Sequence, residues 1–402
     1  MFIFQKHFQF ILSRYQSDRL LAVDILRGLT IFTMILVNNP GSWTTIYAPL
    51  EHAEWHGWTM TDLVFPFFLF IVGLSISLSF SRENALQQSL AEKQWHVTLR
   101  TVKLIGLGWI LGISYYNFYS TDFNWFSERL LGIRWFGVLQ RIALVYFICA
   151  SLFIWISEKN HVLTSIVGIF ASLIVYWLLM VFVSYQDGTG NIYQGLLITG
   201  NNLAAYIDHN LFGTAHLYHK SSLPFSSDPE GLLTTLPALA SCFSGILVNE
   251  LILKKNNRLS QSKQLILFGI TSFVFAYLIS IWIPFNKNLW TPSYVFLSSG
   301  IAMIVLGICL YCVDHKNWRS GFAPFIVFGA NSIALFMLSG FVARLMSMIK
   351  IGGISIKGMI YHQIQLLNLS DDFHSLLFAI GFMFVMYFPM FYMYKKIIFW
   401  KV

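Results

Sequence analysis

The sequence predicts an all-α polytopic transmembrane bundle with about ten spanning helices. Three observations predict it. Only 11% of the 402 residues are charged, less than half the roughly 25% usual in soluble domains. Hydrophobic residues make up 56%, and the mean hydropathy is +0.63. The apolar residues fall into runs of the length that a helix needs to cross a bilayer, about 20 residues.

Ten such runs stand at roughly 20–39, 62–81, 98–117, 135–156, 161–183, 230–252, 263–284, 292–313, 322–346 and 374–398. Each must be helical, because a backbone facing lipid has to satisfy its own hydrogen bonds. Residues 1–18 read as an interfacial lead-in, since the opening stretch has no small-residue cleavage site. Residues 19–402 read as one transmembrane domain. The four cysteines, Cys149, Cys242, Cys309 and Cys312, all lie in apolar runs and read as packing residues. No disulfide framework or metal site is expected.

Orientation follows from the cations. With the N-terminus in the cytoplasm, 17 of the 26 Lys and Arg fall on the cytoplasmic side and 8 on the other, with Arg27 inside the first helix. That bias puts both termini in the cytoplasm of an inner-membrane protein. It puts three long loops on the far face, 40–61, 184–229 and 347–373. Loops this long in a compact protein are usually functional. LLITGNNLAAYIDHNLFG in the second is too short and polar to span, so a lid or re-entrant helix is expected there. The net charge of +8 is explained by the same loop bias. No basic aromatic patch for nucleic acid is present, and the expected environment is the lipid bilayer.

The polar stretch HAEWHGWTMTDLVFPFF carries His52 and His56 directly into the second apolar run. A neutral imidazole is the usual general base near pH 7, and Glu51, Glu54 and Asp62 stand close enough in sequence to orient one. An ordinary polar loop histidine fits as well. The spacing of four without a third ligand is weak as a metal site. Asp62 suits a helix cap or a contact to substrate.

Other polar groups interrupt apolar runs, and two roles fit each. Asp24 and Arg27, three apart on the first helix, form a structural ion pair beside Gly28 or a contact to an anionic cofactor. Asn38 ends that helix ahead of Asn39, Pro40 and Gly41; it caps the helix or holds a carbonyl oxygen. Gln140 and Arg141 lie inside the fourth helix, where a buried guanidinium is a functional candidate. Asp228 and Glu230 open the sixth helix; they suit its N-terminus or an amine or sugar. Asn286, Lys287 and Trp290 form a far-side turn suited to sugar stacking, phosphate contact or plain connection. Asn331 is a buried amide that needs a partner.

Eight stretches, RLLAVDILRGL, ILVNNPG, HAEWHGWTMTDLVFPFFLFIVG, GVLQRIALVYF, YIDHNLFGTAHLY, DPEGLLTT, NKNLWTPSYV and FGANSIALF, together resemble the transmembrane domain of the heparan-alpha-glucosaminide N-acetyltransferase family of transmembrane acyltransferases. The resemblance runs in order from about residue 19 to 345. It implies transfer of acetyl from cytoplasmic acetyl-CoA to a glucosamine-type amine across the membrane, with no metal. It implies that His52 is the catalytic histidine and Asn38 a second catalytic group. Asp24, Arg27, Gln140, Arg141 and Asn331 become expected cofactor contacts. His56, Asp62, Asp228, Glu230, Asn286, Lys287 and Trp290 become expected acceptor contacts. A homodimer is implied too.

Two departures qualify it. The lysosomal relatives carry a luminal domain and an extra first helix, so cleavage to two chains is not expected here. They also have asparagine where His56 stands. A small amino sugar or an envelope glycan is therefore the expected acceptor. The competing class is a transporter of amino sugars or acylated envelope precursors. The lack of an inverted repeat and the loop position of His52 oppose it.

Overall fold

The computed structural model describes residues 2–14, 20–81, 87–255 and 257–400. The boundary drawn at residues 18 and 19, and three of the cations used to orient the chain, Arg19, Arg82 and Lys401, lie outside them.

After a short helix α1 (Phe2–Ser13), the spans are α2 (Leu21–Asn38), α3 (Val64–Phe80), α4 (Leu90–Ile113), α5 (Val138–Trp155) and α6 (His161–Phe182). A short helix α7 (Leu203–Phe212) is followed by α8 (Leu232–Val248), α9 (Arg258–Ile279) and α10 (Pro292–Cys309). The chain closes with α11 (Ala323–Ala330), α12 (Ser332–Met348), α13 (Ile356–Gln365) and α14 (Asp371–Lys395). Among the described residues, nine helices are long and apolar enough to cross a membrane. The protein is a multi-pass membrane protein with an all-α bundle.

The ninth expected span is broken. Residues Ser320–Ala330 and Ser332–Met348 meet at a bend of 76°, where the sequence suggested one helix over 322–346. The break falls at Asn331, whose φ of −132° and ψ of 45° leave the helical region. Its amide turns instead to the C-terminal segment, donating to the Ile398 carbonyl at 2.9 Å and accepting from Trp400 N at 2.9 Å. The buried polar group that needed a partner finds two, and the helix ends there.

Small residues set the helix contacts nearest the site. A Cβ at Gly28 would fall 1.7 Å from the Phe325 carbonyl oxygen, and one at Gly329 would fall 2.3 Å from that of Asp24. So α2 and α11 touch backbone to backbone, the close approach that glycine permits in membrane bundles. Gly73 and Gly245 do the same for α3 and α8, against the carbonyls of Cys242 and Phe70.

The loops are structured. The 184–229 segment carries a hairpin of β1 (Ser184–Gln186) and β2 (Ile192–Gln194) and then α7. That helix buries Leu203, Ala204 and Ala205 in a cluster with Tyr176, Tyr185, Phe225 and Leu289. The 347–373 segment carries a second hairpin, β3 (Lys350–Ile351) and β4 (Ile354–Ser355), and then α13. A fourth connection, 114–137, is as substantial as the three foreseen, because α4 stops at Ile113 and α5 starts only at Val138.

Candidate active site

The site lies where the loop after α2 meets the turn before α10. Gly57 N donates to the Phe285 carbonyl at 2.8 Å, and Trp55 Nε1 donates to the Leu197 carbonyl at 2.7 Å. These bonds fasten the histidine loop to its neighbours.

His52 Nδ1 lies 2.7 Å from Asp62 Oδ1. The carboxylate is almost fully enclosed, its side chain 1% exposed against 50% for the imidazole. Asp62 Oδ2 accepts from Ala53 N at 3.1 Å, from Thr59 N at 3.0 Å and from the Thr59 hydroxyl at 3.2 Å. Donors thus converge on both oxygens, a pattern suited to an acceptor-only ionised carboxylate. Asp62 Oδ1 therefore accepts a hydrogen bond from the Nδ1–H of His52, which fixes the tautomer and leaves Nε2 with its lone pair. Of the roles the sequence offered, the geometry fits orientation of the ring: no side chain caps α3, and the Asp62 carboxylate is enclosed against His52.

Lys287 completes the cluster. Its Nζ stands 3.0 Å from His52 Nδ1, 3.5 Å from Nε2 and 3.4 Å from Asp62 Oδ1. Since the Nδ1 proton is committed to Asp62, the ammonium's acceptors here are the carboxylate and Nε2. Burial pulls the Lys287 ammonium below the ordinary lysine range, against the opposing pull of Asp62 and Glu230.

The turn is built to present that lysine. Asn286 is fully enclosed; its Oδ1 accepts from Leu289 N at 2.8 Å, and its N–H donates to the Thr291 hydroxyl at 3.0 Å. Trp290 adopts a φ of 52°, a left-handed conformation costing on the order of 1 kcal/mol in a non-glycine residue. The strain turns the indole inward, edge-on to Phe65 and Tyr294, with Nε1 donating to the Ser241 hydroxyl at 3.2 Å. At 1% exposure it has no face open for stacking on a sugar, and Asn286 is no more accessible. His56 is exposed, 3.4 Å from Asn286 Nδ2, and desolvation of the part of its ring that faces the protein lowers its proton affinity.

A second polar cluster sits beneath. Arg134, ahead of α5, binds Asp228 through Nε at 2.7 Å and Nη2 at 2.5 Å, and Nη2 also reaches Glu230. Glu230 lies below the ordinary glutamate range; burial works against this, and Arg134, Arg141 and Lys287 outweigh it. Arg141 is fully enclosed, donates to the Gly231 carbonyl at 3.2 Å and to the Thr234 hydroxyl, and lies 5.2 Å from the Trp290 ring centre. The sequence grouped Arg141 and Gln140 with the cofactor. The structure puts Arg141 with the acidic pair, and Gln140 is buried against Gly108. Asp228, its side chain 0% exposed, is occupied by Arg134. Asp208 on α7 joins this layer, its Oδ1 accepting from Leu232 N at 2.9 Å and capping α8. Neither Asp208 nor Arg134 was given a site role from the sequence, although an arginine three residues ahead of Gly137 at a helix start was a visible signal.

Two cavities follow one face of α2. The larger, about 510 Å³, is lined by Asp24, Arg27, Ile31 and Met34 of α2, with Ser75, Arg100, Tyr146 and Asn331. Arg27 donates to Asp24 at 2.9 Å and to the Ser75 hydroxyl at 3.1 Å. Arg100 stacks 4.7 Å over Tyr146, and its Nε is a buried donor with no acceptor among the described residues. The second cavity, about 410 Å³, is lined by Ile35, Asn38 and Asn39 of α2, with Arg344 and Lys357. Phe336 walls both. Asn39 terminates the helix, its Nδ2 donating to the Ile35 carbonyl at 2.7 Å. Asn38 is thereby spared capping and stays exposed. Transfer across the membrane with His52 as the catalytic histidine, which the resemblance implies, would put the imidazole at the end of these cavities; they end instead at Asn38 and Asn39, and His52 lines neither. The imidazole is held outside them by Asp62 and Lys287.

A family described as "Heparan-alpha-glucosaminide N-acetyltransferase, catalytic" matches residues 19–279. The chain belongs to this family. It is 30% identical over 367 residues to the heparan-alpha-glucosaminide N-acetyltransferase of Mus musculus, covering 81% of this chain and 54% of that protein. To the protein of the same name from Homo sapiens it is 30% identical over 362 residues, covering 79% and 52%. The chain spans about half the length of these curated relatives. The N-acetyltransferase family match takes in Asn38, His52, Asp62, Arg134, Arg141 and Asp228, and stops short of Lys287 and Asn331.

Proposed function

We propose that the protein is a membrane-embedded acetyltransferase that uses acetyl-CoA to acetylate the amine of a glucosamine-type sugar on the opposite face. The observation that carries this reading is the His52–Asp62 pair, a half-exposed imidazole bound at 2.7 Å to an enclosed carboxylate in a chain of the N-acetyltransferase family.

The residues along α2 fit the donor. The α2-side lining of the larger cavity, Leu20 to Met34, spans about 21 Å at 1.5 Å per residue, about two-thirds of the roughly 30 Å of a hydrocarbon core, and Asn38 stands one turn further along the helix. Arg27 and Arg100, the latter with its unused donor, suit the phosphates of an anionic head group. Acetyl-CoA supplies an acyl group activated as a thioester. Asn38, which lines the second cavity and whose side chain makes no hydrogen bond among the described residues, suits the acyl oxygen as negative charge develops there.

Amide formation needs a neutral amine. His52 Nε2 takes a proton from the acceptor nitrogen, the new N–C bond forms as the C–S bond breaks, and the proton passes to the departing thiolate. Asp62 stabilises the imidazolium formed on the way. The same Nε2 serves if it accepts the acetyl group first. Lys287 beside it orders the ring and must yield its place near Nε2 to the acceptor. Residues 19–402 would act as one acyltransferase domain, with its N-terminal side facing the cytoplasm.

The deciding experiment places the purified protein in vesicles with labelled acetyl-CoA on one side and glucosamine on the other. N-acetylated sugar formed only with acetyl-CoA at the α2 N-terminal face supports the reading. Absence of product in both orientations and in detergent overturns it. The bent α11–α12 pair favours one other class, since broken helices build transporter sites. Uptake of labelled glucosamine without chemical change would establish that class instead.

A further inference from the structure

The second cavity carries a charge pattern that the acetyl-transfer reading does not use. Arg344 of α12 and Lys357 of α13 line it. Arg129, in the connection between α4 and α5, stacks 4.5 Å over Tyr115, another lining residue, and lies close enough to act electrostatically on Arg344. Among the described residues, none of the three cations is in an ion pair. Arg344 spends one donor on the Gly340 carbonyl at 3.0 Å. Arg129 Nε is buried with no acceptor among the described residues. The apolar part of the lining is Ile35, Leu111, Phe336, Phe378 and Phe382, with Lys357 Nζ 5.7 Å from the Phe378 ring centre.

Three cations gathered without a counter-ion repel one another, and a buried guanidinium donor left unmade costs about 1–3 kcal/mol or more. Such a cluster at the edge of a bundle is the signature of an anion site. Guanidinium forks match the geometry of phosphate oxygens. The aromatic and aliphatic wall adds the complementary demand for an apolar body. The cavity is therefore not shaped for a bare hexosamine, which is cationic and has no apolar chain.

We propose that this cavity binds the phosphate of a phosphorylated amphiphile, with Arg344 and Lys357 holding the phosphate, Arg129 adding positive potential behind Tyr115, and the phenylalanine side chains holding the chain. Resting on the acetyltransferase reading, this makes the acceptor an amino sugar joined through phosphate to a lipid, delivered beside Asn38 from within the membrane.

The test is a binding measurement that needs no turnover. Dodecyl phosphate, dodecyl maltoside-matched neutral amphiphile and inorganic phosphate are titrated against the full protein. Dodecyl phosphate is expected to bind, and Arg344→Gln and Lys357→Gln are each expected to weaken it at least tenfold. The charge-retaining Arg344→Lys should recover part of the loss, and Lys220→Gln, on an exposed loop cation, should leave binding unaltered. Inorganic phosphate binding as tightly as dodecyl phosphate would assign the site to a free phosphorylated sugar and overturn the lipid part. Equal binding of the neutral amphiphile, or equal dodecyl phosphate binding in native protein and both Gln variants, overturns the whole. Intact dodecyl phosphate binding with no acetylation of any amino sugar would sink the acetyltransferase reading and leave the phosphate site standing.

Discussion

His52 and Asp62 share one 2.7 Å hydrogen bond across a sharp boundary in exposure, the imidazole half open and the carboxylate shut away. The arrangement separates the two tasks of a base. The open partner can meet a substrate, and the closed one keeps a fixed proton arrangement. Replacing His52 by Ala removes the base and little packing, because the ring is half exposed. Acetylation is expected to fall by at least about 10²-fold, with the melting temperature in detergent changed little. Asp62→Asn should fall nearly as far, since an amide can donate to Nδ1 and impose the wrong tautomer. Asp62→Asn should also destabilise, because Ala53 N and the Thr59 donors lose a charged acceptor. Wild-type turnover in either variant removes this pair from the mechanism.

Arg27 and Arg100 sit in the larger cavity with donors to spare or lightly used. A hydrogen bond to a charged group contributes roughly 1.5–3 kcal/mol. Arg27→Ala or Arg100→Ala should therefore raise the KM for acetyl-CoA by about 10- to 100-fold, with kcat moved far less. Steady-state kinetics on purified protein check the split. A fall confined to kcat would place these arginines elsewhere in the cycle.

How much of this could be read from the chain follows the physics of the signals. The spans were legible because a run of apolar residues is a local property, and nine of the ten expected stand unbroken among the described residues. The bend at Asn331 was not, because it depends on where the C-terminal segment passes: the amide leaves the helix to bind Ile398 and Trp400. The His52 loop was legible from its residue types, and Lys287 was singled out without its partner, since 235 positions separate the two. Trp290 misled. A tryptophan beside polar residues reads as a stacking platform, but one left-handed backbone angle turns it into the core. Asp208 lay in the stretch YIDHNLFGTAHLY without a role to mark it, because the N–H it accepts, that of Leu232 at the start of α8, is 24 positions away.

The Arg134 cluster makes a stability prediction. Its guanidinium is the bidentate partner of a fully enclosed Asp228 and also binds Glu230. Removing one partner of a buried pair leaves an uncompensated charge, at a cost of about 3–5 kcal/mol. Arg134→Ala should lower the melting temperature sharply and reduce the folded yield. Arg134→Ala combined with Asp228→Ala should restore part of it, the coupling that neighbours in one network show. Additive losses in the double variant would mean that the pair is not energetically linked.

Asp208 supplies the pH dependence. Burial lifts its carboxyl to about 7, helped by Asp228 and opposed by Leu232 N and Arg141. Its Oδ2 has no partner among the described residues. In the unfolded chain the group titrates near 3.9. Between about pH 4 and pH 7 the folded protein therefore holds a proton that the unfolded chain has released. This contribution to stability is complete below the unfolded value and is lost as the pH rises through about 7. Asp208→Asn keeps an oxygen for the Leu232 N–H and cannot ionise, so it lacks the slope. Its melting temperature should gain on that of the native protein as the pH is raised from 5 to 8, with the largest gain around and above 7. Thermal unfolding of both proteins across that range checks it. A difference that does not change with pH would show that Asp208 is ionised throughout.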